Sequence, residues 1–364
     1  MKNINVSLVG LGFGAEFIPI YKALPGANCT AVCRRDEKSV NQVADEFGIE
    51  KRYTDFEQVL ADPDIDAVHI NTPIADHAPM SIAALKAGKH VACTVPMAIT
   101  ADECDEIVKL ERETGKVYMM METAVYTREY LYVKALNQKG DLGRIQFLRG
   151  SHQQNMGLPG WPDYWYGFPP MFYATHAIGP LADLIDKRIS SVRCYGSGKI
   201  SDEYAKKYGS PFAVETAQLT FENTDVVAEV TRSLFDTIRQ YRESFDVYGT
   251  KISFEWEQLE GEHPVLFSGF EDAKRVVIPD TDKMLPKEIA KFTLKEQILD
   301  EDHVSFVQGA GHGGSHPHMV YEFISAIREN RKASVSAETA ANWTKAGILS
   351  HISAMEGGKE IKLS

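Results

Sequence analysis

The sequence predicts an α/β chain of two domains: an N-terminal doubly wound parallel sheet and a C-terminal α+β domain with a large open, mainly antiparallel sheet. An apolar strand at residues 4–9 runs into a glycine-rich turn, and strands then alternate with helices up to Glu122. Such alternation is typical of βαβ units in a parallel sheet. After Glu122 several strands follow one another without regular helices, so we place the domains at residues 1–122 and 123–364.

The first domain is predicted from runs of apolar and β-branched residues, which indicate buried strands, and from helix stop signals such as Gly48 and Gly88. The predicted strands are 4–9, 29–33, 65–71, 90–95 and 117–122. The predicted helices run from the glycine-rich turn through Leu24 and then span 38–47, 56–61, 77–87 and 101–114.

The second domain begins with a predicted helix at 127–139 and a long strand at 145–154. Beyond an aromatic loop, residues 242–257 alternate in polarity with a period of two, which predicts a hairpin that turns at Gly249 and Thr250. The other predicted elements are strands at 191–198, 213–222 and 226–235 and closing helices at 317–330 and 336–356.

Charge and cysteine usage narrow the classes of function. The chain carries 39 Lys and Arg against 51 Asp and Glu, a net charge of −12, which disfavours binding to nucleic acid or to an anionic membrane. Its five cysteines form no C-x-x-C pair, which favours reduced thiols and a cytoplasmic location. The N-terminal apolar run is interrupted by glycines and indicates a strand rather than a signal peptide, and no apolar run is long enough to span a bilayer.

The turn after the first predicted strand has the spacing of a dinucleotide-binding fingerprint. In VGLGFGA, Gly10, Gly12 and Gly14 stand between a strand and a helix, and Ala15 takes the last position of a G-x-G-x-x-G/A pattern. Gly10 permits the tight turn, and Gly12 lets the backbone approach a pyrophosphate at the helix N-terminus. The sequence therefore predicts a Rossmann domain that binds NAD or NADP through this turn, which includes Phe13.

The residue expected to bind the adenosine ribose is an acid about 20 positions further on. Here Arg34 and Arg35 stand at the end of the second strand, and Asp36 follows late. Two guanidinium groups suit the 2′-phosphate of NADP, whereas an alignment shifted by one residue would make Asp36 the ribose acid and favour NAD. The choice between NAD and NADP therefore stays open.

The segment NTPIADHAPMSIAALKAGKHVACTVP resembles the Gfo/Idh/MocA family, which contains glucose-fructose oxidoreductase, inositol dehydrogenase and their relatives. Asn71, Thr72, Pro73 and His77 fit the family's N-T-P-x-x-x-H motif. The resemblance covers the whole chain and implies an NAD- or NADP-dependent oxidoreductase. It implies cofactor contacts at Asn71, Pro73, His77, Thr94, Val95 and Glu122.

One position departs from the family pattern. Where the family has a lysine that holds the reacting hydroxyl and helps to move its proton, this chain has Val95. A branch of NAD-dependent glycosidases also tends to have valine there, together with E-x-x-x-Y and Y-x-T-H-x-x-G-P motifs. Glu122 and Tyr126 fit the first motif, residues 173–180 fit the second, and Phe172 replaces an aspartate of the wider family.

His176, in the second of these motifs, is the predicted acid–base group. Removal of hydride from a carbinol carbon needs a base for the hydroxyl proton, and histidine titrates nearest to neutral pH. The alternative role for His176 is a capping or buried hydrogen-bonded histidine. Tyr126 and Tyr173 are predicted to relay the proton or bind hydroxyls, with core packing as the alternative for each.

Substrate contacts are predicted on the long strand and in the aromatic loop that follows it. Arg149 and Gln153 share one face of the strand, and His152 lies on the other. Trp161 and Trp165 belong to the loop WPDYWYGFPPMFY, whose density of aromatic residues suits a sugar platform or an aglycone pocket. The alternative for this loop is an oligomer interface or a lid.

The segment GHGGSHPH carries three histidines. His312 is predicted to reach the substrate, and His316 is predicted to begin the closing helix. His312, His316 and His318 have no obvious cysteine or spaced carboxylate beside them, so no metal site is predicted.

Three hypotheses for function follow from these residues. The first is an NAD(P)-dependent oxidoreductase that transfers hydride at a sugar or glycoside hydroxyl, with carbon 3 as the candidate position. The second is a redox-assisted glycosidase, in which oxidation, elimination, water addition and reduction consume no cofactor, so the cofactor can stay tightly bound. The third is a non-catalytic NAD(P)-binding sensor, suggested only by the missing lysine. A homo-oligomer is expected because the open sheet face needs covering.

Overall fold

The computed structural model describes residues 2–157, 163–205, 208–239, 241–259, 261–294 and 310–363. The chain forms two compact units. The parallel-sheet unit comprises Met1–Arg128 and Asp280–Ala341, and the mixed-sheet unit comprises Glu129–Pro279 and Asn342–Ser364. Within the described ranges, no helix is long and apolar enough to cross a membrane.

The parallel-sheet unit has the predicted doubly wound architecture. Its strands are β1 (Ile4–Val9), β2 (Ala27–Cys33), β3 (Lys51–Tyr53), β4 (Ala67–Ile70), β5 (His90–Thr94) and β6 (Tyr118–Met121). They form one sheet in the order β3-β2-β1-β4-β5-β6, in which every neighbouring pair is parallel. The helices between them are α1 (Ile18–Ala23), α2 (Glu37–Phe47), α3 (Phe56–Ala61), α4 (Ile74–Lys86) and α5 (Ala101–Thr114). The strand order reverses between β1 and β4, which is where nucleotides bind in sheets of this type.

Local sequence explains where the longer of these helices begin and end. Thr100 and Glu103 form a capping box that starts α5, and Gly115 ends it in the left-handed conformation. The Asp36 carboxylate caps α2, and Gly48 ends that helix in the same left-handed conformation.

The segment Asp280–Ala341 packs with the parallel-sheet unit, although the sequence placed it in the second domain. It contains α8 (Lys287–Ala290), α9 (Ala310–Gly314), α10 (His316–Glu329) and the start of α11 (Ala337–Met355). The reason is the apolar face of α10, since Met319 and Phe323 are buried in the same hydrophobic cluster as Leu8 and Phe17.

The mixed-sheet unit holds the predicted open sheet of nine strands. The strands are β7 (Ile145–Gln153), β8 (Ile189–Ser197), β9 (Val214–Phe221), β10 (Val227–Ser233), β11 (Arg242–Gly249), β12 (Ser253–Glu255), β13 (Val265–Phe267), β14 (Ala273–Arg275) and β15 (Ile361–Lys362). Their order is β14-β13-β12-β11-β7-β10-β9-β8-β15. The β7–β10 pair is parallel, and the other neighbouring pairs are antiparallel. Helix α6 (Arg128–Gln138) precedes the sheet, and α7 (Thr175–Ile185) follows β7.

Helix α7 packs directly on one face of β7. A Cβ atom on Gly150 would lie 2.2 Å from the Ala177 carbonyl oxygen, so the strand and the helix touch through their backbones. Because side chains alternate along a strand, His152 faces α7 with Gly150, whereas Arg149 and Gln153 face the opposite side.

Candidate active site

The glycine-rich turn after β1 has the shape that a nucleotide phosphate requires. Gly10 has a φ of +85°, and a Cβ atom there would lie 2.5 Å from the Asn71 carbonyl oxygen, so only glycine fits. A Cβ atom on Gly14 would lie 3.0 Å from Nδ2 of Asn71. A Cβ atom on Gly12 would meet no described atom within 4 Å. Gly10 and Gly14 therefore shape the turn, and Gly12 leaves open space for a ligand.

Asn71 places a buried amide beside this turn, at the end of β4. Its Nδ2 donates to the His69 carbonyl oxygen at 3.2 Å. Its Oδ1 is buried and has no hydrogen-bond partner among the described residues. A buried acceptor left unpaired costs about 1–3 kcal/mol, so Oδ1 is suited to accept a hydrogen bond from the carboxamide of a nicotinamide. Pro73 follows as the N-cap of α4 and carries the backbone from Asn71 into that helix.

At the end of β2, Asp36 and the two arginines have different environments. Oδ1 of Asp36 accepts a hydrogen bond from the Ser39 backbone nitrogen at 2.8 Å and another from the Ser39 hydroxyl. The hydroxyl bond, followed by the backbone bond, lowers the pKa of Asp36. Asp36 is thus engaged as a helix cap, while Arg34 and Arg35 are exposed next to the end of β2.

His77 is a structural clamp, which does not support the cofactor contact predicted for it. Its Nδ1 lies 2.8 Å from the Pro96 carbonyl oxygen, and its Nε2 lies 2.8 Å from the Thr72 carbonyl oxygen. Both ring nitrogens must donate, so the imidazole is held protonated. Burial lowers the pKa of His77, but Cys93 and the two carbonyl groups outweigh burial and raise the pKa to about 9.

The position of the family lysine is filled by an apolar side chain. Val95 is 6% exposed, so its side chain offers neither a proton nor a hydrogen bond to a ligand. The Thr94 hydroxyl donates to the Ile70 carbonyl oxygen at 2.8 Å and ties the end of β5 to the end of β4. Proton transfer therefore has to come from other residues.

Glu122 and Tyr126 are both anchored within the parallel-sheet unit. Glu122 is fully buried, and its Oε1 accepts a hydrogen bond from the Ala124 nitrogen at 3.0 Å at the start of the short helix Thr123–Val125. The Tyr126 hydroxyl is hydrogen-bonded to the Ser334 hydroxyl. The cofactor role of Glu122 and the catalytic role of Tyr126 stay predictions.

An aromatic group stands beside the glycine-rich turn. The ring of Phe13 lies 5.7 Å from that of His312 and 5.4 Å from that of His316. Oε2 of Glu16 is 3.5 Å from Nδ1 of His316, and burial, with His312 adding to it, lowers the pKa of His316. His318 instead hydrogen-bonds a threonine hydroxyl at 2.8 Å. His312 thus lies at the fingerprint turn of the parallel-sheet unit.

The mixed-sheet unit brings two histidines and a carboxylate together around one point. His176, the second residue of α7, has its Nε2 3.7 Å from Oε1 of Glu243 on β11. Nε2 of His152 on β7 is also 3.7 Å from that oxygen, and the two imidazole centroids are 5.1 Å apart. These nitrogen–oxygen distances exceed the usual hydrogen-bond range of about 2.7–3.2 Å. We call these three groups the His–His–Glu cluster.

The fold fixes the cluster through backbone contacts. The antiparallel register of β7 and β11 pairs His152 directly with Glu243. The close packing of α7 on Gly150 then brings His176 to the same face. Residues far apart in sequence therefore meet because of strand register and one helix–strand contact.

Arg232 stabilises the backbone next to the His–His–Glu cluster. Its guanidinium is fully buried and donates to the Tyr173 carbonyl oxygen at 2.8 Å, to the His152 carbonyl oxygen at 3.1 Å and to Oε1 of Gln154 at 3.1 Å. Burial lowers the pKa of Arg232 to about 10. The ring of Tyr173 lies 5.4 Å from that of His176 in an edge-on arrangement, so the structure places these two predicted residues together.

Sequence reasoning missed Glu243, Arg232 and Tyr241, whose hydroxyl donates to Glu243. One signal was available. Glu243 shares a strand face with the buried Phe245 and Val247, and an acid on an apolar strand face has to be paired or functional.

The His–His–Glu cluster could also be considered as a metal site. One ligand atom from each of its three side chains lies within 4.8 Å of the others, and no further group of this kind occurs in the described ranges. However, the buried Arg232 guanidinium interacts electrostatically with Glu243 and already supplies a positive charge there. A divalent cation would meet repulsion from that charge, which favours acid–base use of the cluster over metal binding.

Arg149 and Gln153 do not join the cluster. Arg149 lies on the opposite face of the sheet, where its guanidinium is 3.7 Å from the Glu229 carboxylate and 3.9 Å from the Asp246 carboxylate. Gln153 shares that face. The predicted grouping of these two residues with a substrate at His176 is therefore not supported by their positions.

The described part of the aromatic loop is packed into the mixed-sheet unit. Trp165 is 6% exposed, and its ring lies 5.0 Å from Tyr173 and 5.7 Å from Phe168. Trp165 thus packs against Tyr173 inside the unit and does not form the exposed stacking surface that was predicted. Trp161 lies outside the described residues.

The match to a known protein family lies in the nucleotide-binding segment. Residues 4–122 match the family described as "Oxidoreductase family, NAD-binding Rossmann fold", GFO_IDH_MocA. This segment matches the NAD-binding domain of Gfo/Idh/MocA oxidoreductases, and the chain is an enzyme with NAD-dependent oxidoreductase chemistry. The predicted fold class and cofactor class are confirmed, and the predicted family resemblance is confirmed for residues 4–122.

Similar sequences extend over nearly the whole chain. A "Glycosyl hydrolase family 109 protein" of Saccharopolyspora erythraea is 25% identical over 383 residues, which cover 96% of this chain and 80% of the relative. An "Alpha-N-acetylgalactosaminidase" of Shewanella oneidensis is 26% identical over 387 residues, which cover 96% and 82%.

Solved structures share the fold at full length. Levoglucosan dehydrogenase in complex with NADH and levoglucosan superposes with a TM-score of 0.82 at 23% identity, covering 99% of both chains. An Agrobacterium radiobacter oxidoreductase in complex with NAD+, L-tartaric acid and magnesium has a TM-score of 0.78 at 18% identity, covering 99% of this chain and 98% of the other.

Proposed function

We propose that this enzyme transfers hydride at a ring hydroxyl of a sugar or glycoside, with carbon 3 as the candidate position. The observation that carries the proposal is the buried His176 imidazole, which faces a carboxylate and a second imidazole in the His–His–Glu cluster. A positioned histidine is the usual base for a hydroxyl proton. The names of a levoglucosan dehydrogenase and an α-N-acetylgalactosaminidase among similar proteins support a carbohydrate substrate.

Cofactor binding is assigned to the parallel-sheet unit. The open backbone at Gly12 would receive the pyrophosphate, and Oδ1 of Asn71 would accept a hydrogen bond from the nicotinamide carboxamide. NAD, when bound, supplies the hydride acceptor. The exposed Arg34 and Arg35 support use of NADP as well.

Proton transfer is assigned to the mixed-sheet unit. His176 takes the proton of the reacting hydroxyl. Arg232 holds the backbones of Tyr173 and His152 and so keeps the rings beside His176 in place. Because Val95 is buried and apolar, this assignment gives the proton step to His176 alone.

One experiment tests the proposal. The purified protein, with its bound nucleotide identified, is offered free sugars and aryl glycosides of hexoses and N-acetylhexosamines while nicotinamide absorbance is followed. Reduction of the nicotinamide by at least one sugar is expected. A protein that binds nucleotide but reduces it with no sugar in the panel would favour a sensor and contradict the proposal.

A redox-assisted glycosidase is the second candidate. Oxidation at carbon 3 acidifies the carbon-2 hydrogen, elimination expels the aglycone, and water addition and re-reduction complete the cycle without net cofactor change. The observation that favours it is the presence of several proton-transfer groups in one cluster, since a simple dehydrogenase needs only one base. Release of aglycone without net reduced nicotinamide would support the glycosidase, whereas accumulation of reduced nicotinamide would support the dehydrogenase.

We also propose an oligomeric state and a cellular location for the enzyme. A homo-oligomer is proposed because, within the described residues, the sheet face that carries Arg149 and Glu229 has partly exposed side chains, and light scattering in solution tests this expectation. A cytoplasmic location is proposed because the five cysteines are buried and form no disulfide.

A further inference from the structure

We infer that Glu243 is a second catalytic base in the His–His–Glu cluster, which removes the carbon-2 proton from a sugar already oxidised at carbon 3. The inference rests on the second candidate function, the redox-assisted glycosidase, and deepens it by naming the residue that acts at carbon 2. Neither the sequence motifs nor the relatives' names point to this residue.

The spacing of the two bases fits two neighbouring positions of one sugar ring. The basic atom must lie within about 2.6–3.2 Å of the heavy atom whose proton it removes. The carbon-2 hydrogen and the carbon-3 hydroxyl lie on adjacent ring atoms, so bases that serve both must stand a few ångströms apart. Nε2 of His176 and Oε1 of Glu243 are 3.7 Å apart, too far for a direct hydrogen bond and close enough to share one substrate.

Exposure separates the role of Glu243 from that of His152. The side chain of Glu243 is 11% exposed and that of His176 is 5% exposed, whereas that of His152 is fully buried. His152 therefore acts from behind as a positioning residue. The Tyr241 hydroxyl donates to Glu243 and orients its carboxylate, and the nearby Arg232 charge favours the ionised form that a base requires.

The proposed step is balanced in atoms and electrons. The carbon-2 C–H bond breaks, and its proton goes to the Glu243 carboxylate. The electron pair of that bond forms the double bond between carbons 1 and 2, and the bond from carbon 1 to the aglycone oxygen breaks. The leaving oxygen takes the proton that His176 received from the carbon-3 hydroxyl. In the later addition of water, the hydroxyl bonds to carbon 1, the proton of the water goes to His176, and the proton of Glu243 returns to carbon 2. Return of hydride to carbon 3, with the His176 proton to its oxygen, completes the cycle.

Glu243→Gln in the full-length holoenzyme tests the inference with three readouts: single-turnover reduction of bound nicotinamide, deuterium incorporation at carbon 2 in heavy water, and aglycone release. We expect nicotinamide reduction within about 3-fold of wild type, while exchange and release fall by about 10²–10⁴-fold. Glu243→Asp keeps a carboxylate and is expected to restore part of the exchange. Glu229→Gln, which removes a carboxylate from the opposite sheet face, is the matched control and should leave all three readouts unchanged.

The outcomes distinguish failure of the inference from failure of the proposed function. Parallel loss of nicotinamide reduction and exchange in Glu243→Gln would overturn the inference, because Glu243 would then act only through His176. Wild-type enzyme that accumulates reduced nicotinamide without exchange at carbon 2 would overturn it too, while leaving sugar oxidation standing. Wild-type enzyme that oxidises no sugar would overturn the proposed function itself. Turnover that stops on chelation and returns with zinc, with one metal bound per chain, would make the cluster a metal site and overturn the inference.

Discussion

His77 in the parallel-sheet unit and His176 in the mixed-sheet unit are both buried histidines, yet their surroundings give them opposite roles. Both ring nitrogens of His77 face backbone carbonyl oxygens at 2.8 Å, which fixes its protonation and its position. Nε2 of His176 faces a carboxylate at 3.7 Å, beyond hydrogen-bonding range. The first histidine fastens two turns, whereas the second stands among side chains that can themselves take up or release a proton.

Burial alone therefore does not identify a catalytic histidine. A histidine whose two nitrogens are both committed to carbonyl groups has no capacity left for a ligand. A histidine beside other titratable groups can exchange a proton with them or with a ligand. The kind of neighbour, backbone carbonyl or titratable side chain, therefore separates a structural histidine from a catalytic candidate more clearly than exposure does.

The largest expected effect comes from His176→Ala. We expect turnover to fall by at least about 10²–10⁴-fold, because the base for the hydroxyl proton is lost. Nucleotide affinity, measured by fluorescence titration, should survive, since the cofactor contacts are assigned to the parallel-sheet unit. Near-normal turnover in this variant would break the contrast between the two histidines.

His77→Ala should act on stability. Two carbonyl groups lose their donor, so we expect the free energy of unfolding to fall by about 2–4 kcal/mol. The pKa of His77 is raised from 6.5 to about 9, so its stabilising contribution is fully present below pH 6.5 and is lost as pH rises towards 9. Denaturant unfolding of wild type and variant at both ends of this range measures the effect. A difference that does not shrink with rising pH would show that His77 is not held as a cation.

Arg34→Asp should change cofactor preference by a smaller amount. Loss of a guanidinium and gain of an acid beside the ribose are expected to weaken NADP relative to NAD by about 10-fold, which corresponds to roughly 1.4 kcal/mol. Competitive titration of the two nucleotides measures the ratio. Equal preference before and after the change would remove Arg34 from the ribose site.

The smallest effect is expected for Arg149→Ala. Arg149 pairs with exposed acids on the face opposite the cluster, so turnover should stay within about 2-fold of wild type. His152→Ala, three residues further along the same strand, should reduce turnover much more because it removes a member of the cluster. A large loss in Arg149→Ala would mean that the open sheet face takes part in function.

Elements with strong local signals were predicted within a residue or two. The helix predicted at 101–114 is observed as Ala101–Thr114, because the capping box and a terminal glycine mark both of its ends. The strand predicted at 242–249 is observed as Arg242–Gly249, because its polarity alternates. Lys51–Tyr53 was missed as a strand, since it has three residues, a partly exposed pattern and no period.

The candidate site was predicted in part. His176 and Tyr173 lie in a short motif and were found, whereas Glu243 and Arg232 were not. Their contribution depends on strand register and on hydrogen bonds across more than fifty positions of sequence, which no local pattern encodes. The return of 280–341 to the parallel-sheet unit was missed for the same reason, since the apolar face of a helix does not say which core it covers.

Gly150 has a consequence for how the enzyme could be tuned. Because α7 rests on the bare backbone of β7 at this residue, the gap between the two imidazoles is set by peptide-to-peptide contact and not by side-chain volume. Changes in the surrounding hydrophobic core would therefore alter stability while leaving the catalytic spacing intact. Any side chain introduced at position 150 would push α7 away from β7. A series of side chains of increasing volume, starting with alanine, would therefore increase the distance between the His152 and His176 imidazoles in steps.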